Sequence, residues 1–272
     1  MDNTRLAHLV ASIGSLNGYG SSIAQTKKAL DTGNVQYLKQ GTEDSNIFKD
    51  VVAGIAAIKE IGFNEDGIIA VNKAFVNSEE EDPILPGHLR NTLYNTDDNI
   101  AITVDEHSQK AYIPKGIVTR EDLKKIVDNF KNSKQTRFDG LRVFAQLAKL
   151  QPFQDGNKRT ALIAANAALD VWSNEHYLVL PFNDLDKAEF SINLMRYYDA
   201  KTPDKENEYL KRMNSFLPGL NELSYNKSIE KTKSLENVKT KPLFRDKKVK
   251  MQKADYSDLD NSLFNHSRGI HH

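Results

Sequence analysis

Apolar positions recur at helical spacing along most of this chain. In "TRLAHLVASIGSL", Leu6, Leu9, Val10 and Ile13 share one face, the i, i+3, i+4, i+7 pattern of an amphipathic helix. Gly18 and Gly20 interrupt it. "SSIAQTKKALDTG" then opens a second helix, with Ser21 or Ser22 as its cap and Gly33 just past its end. "NIFKDVVAGIAAIKEIG" predicts a buried helix closed by Gly62, and "EDGIIAVNKAFVNS" predicts another. The acidic run from Glu79 to Asp82, ahead of Pro83, reads as a solvated loop.

The pattern changes between residues 84 and 118. "NIAITVDEHSQKAYIPKG" alternates β-prone residues around a polar middle and predicts a β-hairpin. Its arms are Ile100 to Val104 and Lys110 to Ile113, with Asp105, Glu106 and Ser108 in the turn and Pro114 ending the second arm. Thr119 and Asp122 then form a capping-box variant for a helix with a stripe of Leu123, Ile126, Val127 and Phe130. "FDGLRVFAQLAKL" is amphipathic. The helix after it, from about Asn157 to Trp172, is apolar on nearly all sides, which puts it at the centre of a fold. "YLVLP" is a short extended piece, and "DKAEFSINLMRYY" a further helix.

This predicts a mainly α protein with one small hairpin. An N-terminal helical segment (1–80) packs on a core (81–222), and a lysine-rich tail (223–272) follows. The tail has few large apolar residues and is expected to be largely disordered in isolation. It reads as a solubilising appendage. Its basic charge is the sole attraction the chain offers to nucleic acid, since the 272 residues carry 37 basic and 37 acidic side chains. With no cysteine, disulfides, thiolate catalysis and cysteine-based zinc sites are excluded. No run approaches the roughly 18 apolar residues of a membrane span, and the start lacks the look of a signal peptide. A soluble, cytoplasmic protein is expected, with no membrane partner.

The chemistry concentrates in "LQPFQDGNKRTALIAAN", residues 150 to 166. Gly156 permits backbone conformations closed to other residues. The helix start behind it offers amide N–H groups and a partial positive charge, an anion site before any side chain is counted. Lys158 and Arg159 add two full positive charges, and Arg159 has the fork geometry for two phosphate oxygens. Asp155 supplies a carboxylate for Mg²⁺ shared with phosphates and water. Asn157 is placed to donate to a phosphate or to cap the helix, and Phe153 to pin the loop to the core.

This run resembles the signature of the Fic (Fido) family, H-x-F-x-[DE]-G-N-G-R-x-x-R. It is most similar to the N-K-R-T-A form of the Doc branch. "PGHLR", the hairpin and "YIPKG" resemble the family's flap region. "LNGYGSSIAQTKKAL" resembles an N-terminal segment of larger Fic proteins. The resemblance implies a Fido fold, a helical bundle around a central buried helix with a hairpin flap. It further implies transfer of AMP or a related group from ATP (or another nucleotide) with Mg²⁺ to a hydroxyl of a protein docked on the flap as an added strand. The implied nucleotide contacts are Gly156, Asn157, Lys158 and Arg159, with Asp155 as the metal ligand.

The departures bear on activity. Gln151 stands where the family has its catalytic histidine, and an amide takes no proton near pH 7. Transfer should then be weak or absent. A non-catalytic nucleotide- or partner-binding member, or a Doc-like kinase, stands as the alternative. Lys158 replaces a glycine and Leu162 an arginine of the AMP-transferring form. Many larger members carry an inhibitory glutamate in a [ST]-x-x-x-E-[GN] pattern. At the corresponding N-terminal place this chain has Ile13 and Asn17, so that brake is expected to be missing. Two later stretches fit the pattern loosely: Thr202, Glu206, Asn207 and Thr232, Glu236, Asn237. His88 and His107, in or near the flap, are candidate substitute bases.

Overall fold

The computed structural model describes residues 2–39, 42–78, 82–105, 108–219 and 222. The expectations for His107, Glu79 to Glu81, Glu106, Glu236 and the tail from 223 lie outside the described residues. The helices are α1 (Thr4–Gly14), α2 (Ile23–Thr32), α3 (Thr42–Ile61), α4 (Glu65–Lys73), α5 (Arg120–Lys131), α6 (Arg137–Leu150), α7 (Asn157–Ala168), α8 (Asp184–Asp199) and α9 (Pro203–Ser215). Strands β1 (Ile102–Asp105) and β2 (Lys110–Tyr112) form a hairpin between α4 and α5.

The apolar character of α7 has the expected consequence. Ala161, Leu162, Ile163, Ala164 and Ala165 are fully buried, and α7 touches α1, α3, α4 and α6. Its small side chains let these neighbours approach closely. One polar residue on α7 also works from inside the core. Asn166, fully buried, donates to the carbonyls of Leu162 and Leu178, both at 2.9 Å, and accepts from Leu178 N at 2.8 Å. Leu180 N donates to Ser12 Oγ of α1 at 2.7 Å. Side chains on α7 and α1 thus take up the backbone groups of Leu178 and the N–H of Leu180 in the extended "YLVLP" segment.

Local signals set most helix starts. Ser22 and Gln25 form a capping box, while Ser21 turns instead to the buried Asp44. Asp122 accepts from Thr119 N at 2.8 Å, as the spacing predicts. Helix α9 is an element the sequence pattern did not declare. Its start is nonetheless encoded: Thr202 accepts from Lys205 N, and Pro203 takes the first helical position. Glu206 is thereby placed on Lys149 Nζ at 2.6 Å. The Thr202–Glu206 spacing marks a helix cap, and Glu206 is spent at the C-terminal end of α6.

The hairpin pairs Ile102 with Tyr112 and Thr103 with Ala111. At its tip Ser108 Oγ donates to Asp105 at 2.6 Å, as a turn requires. Tyr112 OH donates to Lys149 O at 3.0 Å, which ties the hairpin to the end of α6. A second short ladder at its base joins Thr92 N to Gly116 O (3.0 Å) and Val118 N to Arg90 O (2.8 Å). Among the described residues no helix is long and apolar enough to cross a membrane.

Candidate functional site

Helix α6 ends at Gln151, whose backbone is left-handed (φ 51°, ψ 61°), an uncommon conformation for a residue with a Cβ. The chain turns through Pro152, Phe153, Gln154 and Asp155. It then enters α7 at Gly156, also left-handed (φ 71°). Phe153 is fully buried and anchors the turn. Asn157 closes the turn. Its side chain accepts from Phe153 N and donates to Phe153 O, both at 2.8 Å. The amide expected to meet a phosphate or cap the helix is therefore engaged in shaping the loop. What Asn157 presents toward an anion is its backbone N–H at the first turn of α7.

Between residues 151 and 160, Asp155 and Lys158 alone are partly exposed; every other residue is buried. A carboxylate and an ammonium thus stand at the rim of a helix N-terminus. Gly156 N donates to Asp155 Oδ1 at 2.6 Å, which fixes the carboxylate over the turn. Among the described residues no three acidic or histidine side chains group as a metal cage.

Gln151 is buried, and its Nε2 donates to Ala148 O at 2.6 Å, back onto α6. Its carbonyl accepts from Arg90 Nε at 2.5 Å. Arg90, also buried, donates further to the carbonyls of Asp98 (2.8 Å) and Lys115 (2.9 Å). One guanidinium therefore fixes the end of α6 against both sides of the hairpin base. Asn72 on α4 supports the turn from the other side. It donates to Asp155 O at 2.8 Å and accepts from Gly87 N at 2.9 Å. Neither Arg90 nor Asn72 stood out as a site residue in the sequence. The "PGHLR" run that contains Arg90 was the available signal.

Arg159 is fully buried. Its guanidinium lies 4.5 Å from the centre of the Phe75 ring, and Nη2 is 3.1 Å from Asp82 Oδ1. The expectation of a solvated Asp82 is thereby corrected: its side chain is 5% exposed. A buried guanidinium demands a counter-charge, and Asp82 supplies it from the segment after α4. Burial and the neighbouring buried Asp50 push the Asp82 carboxyl up to about 6, although Ser78 N–H and Arg159 pull it down. In the unfolded chain it titrates near 3.8. Between these values the folded state binds more protons, so this group's stabilising contribution is full below pH 4 and is lost as pH rises through 6. The expected result is that Asp82→Asn gains stability relative to the parent between pH 4.5 and 7. Urea unfolding at the two pH values measures this. A difference independent of pH would contradict the buried, raised carboxyl.

The fold is a helical bundle whose buried central helix begins in a left-handed glycine turn, with a small hairpin between α4 and α5. The Fic/DOC family model matches residues 63–169, the stretch from α4 through α7. The likeness to that family covers these residues. Its fold is similar to a Fic domain containing signaling protein from Bacteroides thetaiotaomicron (TM-score 0.56, 16% identity, 80% of each chain covered). It is also similar to a Fic family protein from Desulfovibrio desulfuricans (0.53, 15%, 87% of this chain and 67% of that one). Against Fic-1 from C. elegans the TM-score is 0.55 at 18% identity, over 84% of this chain and 64% of that one, so this chain spans less than two thirds of that relative. At these identities the likeness is one of fold. The chain matches no curated protein.

Proposed function

We propose that this protein binds a nucleoside triphosphate, ATP or a relative, at the turn 151–159 and transfers a phosphorus-bearing group from it to a protein hydroxyl. The match of residues 63–169 to the Fic/DOC family supports a Fic-type function, typically AMP transfer to proteins. The observation that carries the reading to this site is the rim itself: within residues 151–160, Asp155 and Lys158 alone are partly exposed at the buried, glycine-led start of α7. The first-turn amides and Lys158 would hold phosphates, with Arg159 behind them as a charge. Asp155 would hold Mg²⁺, which supplies charge neutralisation on the phosphates. Leu93, Tyr94, Ile113 and Ile117, all exposed around the hairpin base, favour a protein as acceptor over a small molecule. An acceptor segment would lie along the hairpin as an added strand.

Positioning and charge stabilisation provide much of the catalysis in phosphoryl transfer. Gln151 adds no base, so the site depends on those effects unless a proton acceptor comes from another segment. A second reading, nucleotide binding without turnover, is favoured by one observation: the Gln151 amide is turned back onto Ala148 O. Calorimetry with Mg-ATP is expected to show binding, and Lys158→Ala should weaken it about tenfold, the loss of one charge-assisted contact. No heat at millimolar ATP would remove both readings. In a lysate, protein-bound label from ATP labelled at the α-phosphate indicates AMP transfer. Label retained from the γ position alone indicates a kinase.

A further inference from the structure

We propose that His88, oriented by the buried carboxylate of Asp98, is the general base that takes the acceptor's proton in place of Gln151. The inference rests on the group-transfer reading above and supplies what that reading lacks.

Residues 85–90 run alongside the motif turn and are tied to it repeatedly. Leu85 N donates to Gln154 Oε1 at 3.0 Å. Gly87 N reaches Asp155 O through the Asn72 side chain, by bonds of 2.9 and 2.8 Å. Arg90 N donates to Pro152 O at 2.9 Å, and Arg90 Nε to Gln151 O at 2.5 Å. His88 sits in the middle of this docked segment. Its backbone is therefore fixed against the loop that would hold the nucleotide.

The ring is fixed as well. His88 Nε2 is 2.9 Å from Asp98 Oδ2. Asp98 is fully buried, and its other oxygen accepts from Gln154 Nε2 at 2.8 Å. Asn91 N donates to Oδ2 at 2.5 Å. Burial alone would raise this carboxyl. The Asn91 N–H, the Gln154 amide and His88 together outweigh burial and hold it below the usual carboxylate range. An ionised Asp98 accepts a hydrogen bond, so neutral His88 carries its proton on Nε2. The lone pair is then on Nδ1, the tautomer of an oriented base. The His88 side chain is 36% exposed while Asp98 is wholly enclosed, so the ring spans from the buried carboxylate to the surface. The charged side chains tied to this pair are Asp98 itself and Arg90, whose guanidinium donates to Asp98 O. Gln154 belongs to the motif turn itself, so one chain of two hydrogen bonds joins the ring to the turn.

The acceptor hydroxyl oxygen attacks a phosphorus of the nucleoside triphosphate, and its proton passes to His88 Nδ1. The bond from that phosphorus to its bridging oxygen breaks. The electron pair leaves on pyrophosphate if the α-phosphorus is attacked, or on the nucleoside diphosphate if the γ-phosphorus is. Lys158 and the first-turn amides of α7 meet that charge, and Asp98 stabilises the imidazolium until its proton returns to water.

The test uses the full chain with labelled Mg-ATP in a lysate, together with ¹⁵N-resolved NMR of the histidine rings. His88→Gln keeps a donor for Asp98 but removes the base. It should lower protein-bound label about 10²–10⁴-fold and leave ATP affinity within twofold. Adding Gln151→His to that variant should recover at least tenfold, because a histidine tolerates the left-handed backbone at 151 better than glutamine does. NMR should find neutral His88 protonated on Nε2. Label unchanged in His88→Gln, a neutral ring protonated on Nδ1, or a parent protein that binds ATP and labels nothing would each overturn the proposal. Absence of ATP binding to the parent fails the group-transfer reading first, and the proposal falls with it.

Discussion

Arg159→Ala is expected to destabilise the protein by about 3–5 kcal/mol at pH 7, well beyond the cost of a lost ligand contact. The guanidinium is fully buried, stacked on Phe75 and paired with Asp82. Asp82 is itself enclosed and lies beside Asp50, which is fully buried and accepts from Val76 N, Asn77 N and the Asn77 side chain. Removing the cation leaves two buried carboxyls facing one another without a counter-charge. The deficit should shrink as pH falls below 6, because Asp82 then takes up a proton in the folded state. Urea unfolding at pH 5 and 7 measures both parts. A loss under about 1 kcal/mol at pH 7 would mean that water reaches the pair and that Arg159 is a surface-like group. The consequence for binding is that an Arg159→Ala effect on nucleotide affinity has to be read beside a stability measurement. Lys158→Ala, at the partly exposed rim, is the cleaner probe of phosphate contact.

The difference between these two adjacent cations shows how far the sequence could be read. "DGNKR" announced the turn, the helix behind it and the concentration of positive charge, because each depends on neighbours within a few residues. The burial of α7 was legible from its alanine-rich composition, and the hairpin from its alternation. Which cation faces out and which faces in was not legible, since it depends on Asp82 and Phe75, 77 and 84 positions away by the numbering. Asp82 looked solvated because its partner, Arg159, lies on a helix far along the chain. Asn157 shows the same limit. Its residue type suits a phosphate contact, but the turn's own backbone claims the side chain. Helix α9 was missed although Thr202 and Pro203 signal its start, because its exposed face gives a weak apolar stripe and its Thr–Glu spacing coincided with a regulatory pattern. His88 was visible as a residue. Asp98, which gives that histidine a direction, became visible only when the fold brought residues 85–98 against 151–155.

Gly156→Ala is expected to cost about 2–4 kcal/mol of stability and to reduce ATP affinity more than tenfold. The backbone at Gly156 has φ +71°, which a residue with a Cβ adopts at a cost. An added Cβ would also lie 2.6 Å from Phe75 Cδ2 and 3.1 Å from Asn72 Nδ2. Phe75 is the ring on which Arg159 rests, and Asn72 is the side chain that holds Asp155 O and Gly87 N. One methyl therefore pushes on both supports of the turn at once. Relief by rotating Phe75 disturbs the Arg159–Asp82 pair. Relief by moving Asn72 releases Asp155 and the segment carrying His88. The first-turn amides of α7 cannot keep their aim in either case, so stability and affinity should fall together. Thermal unfolding and calorimetry on the same preparation read the two effects. A variant that melts like the parent but has lost ATP binding would locate the damage in the amide cradle alone. One that melts like the parent and still binds ATP would show that the nucleotide is held somewhere other than the turn at 151–159.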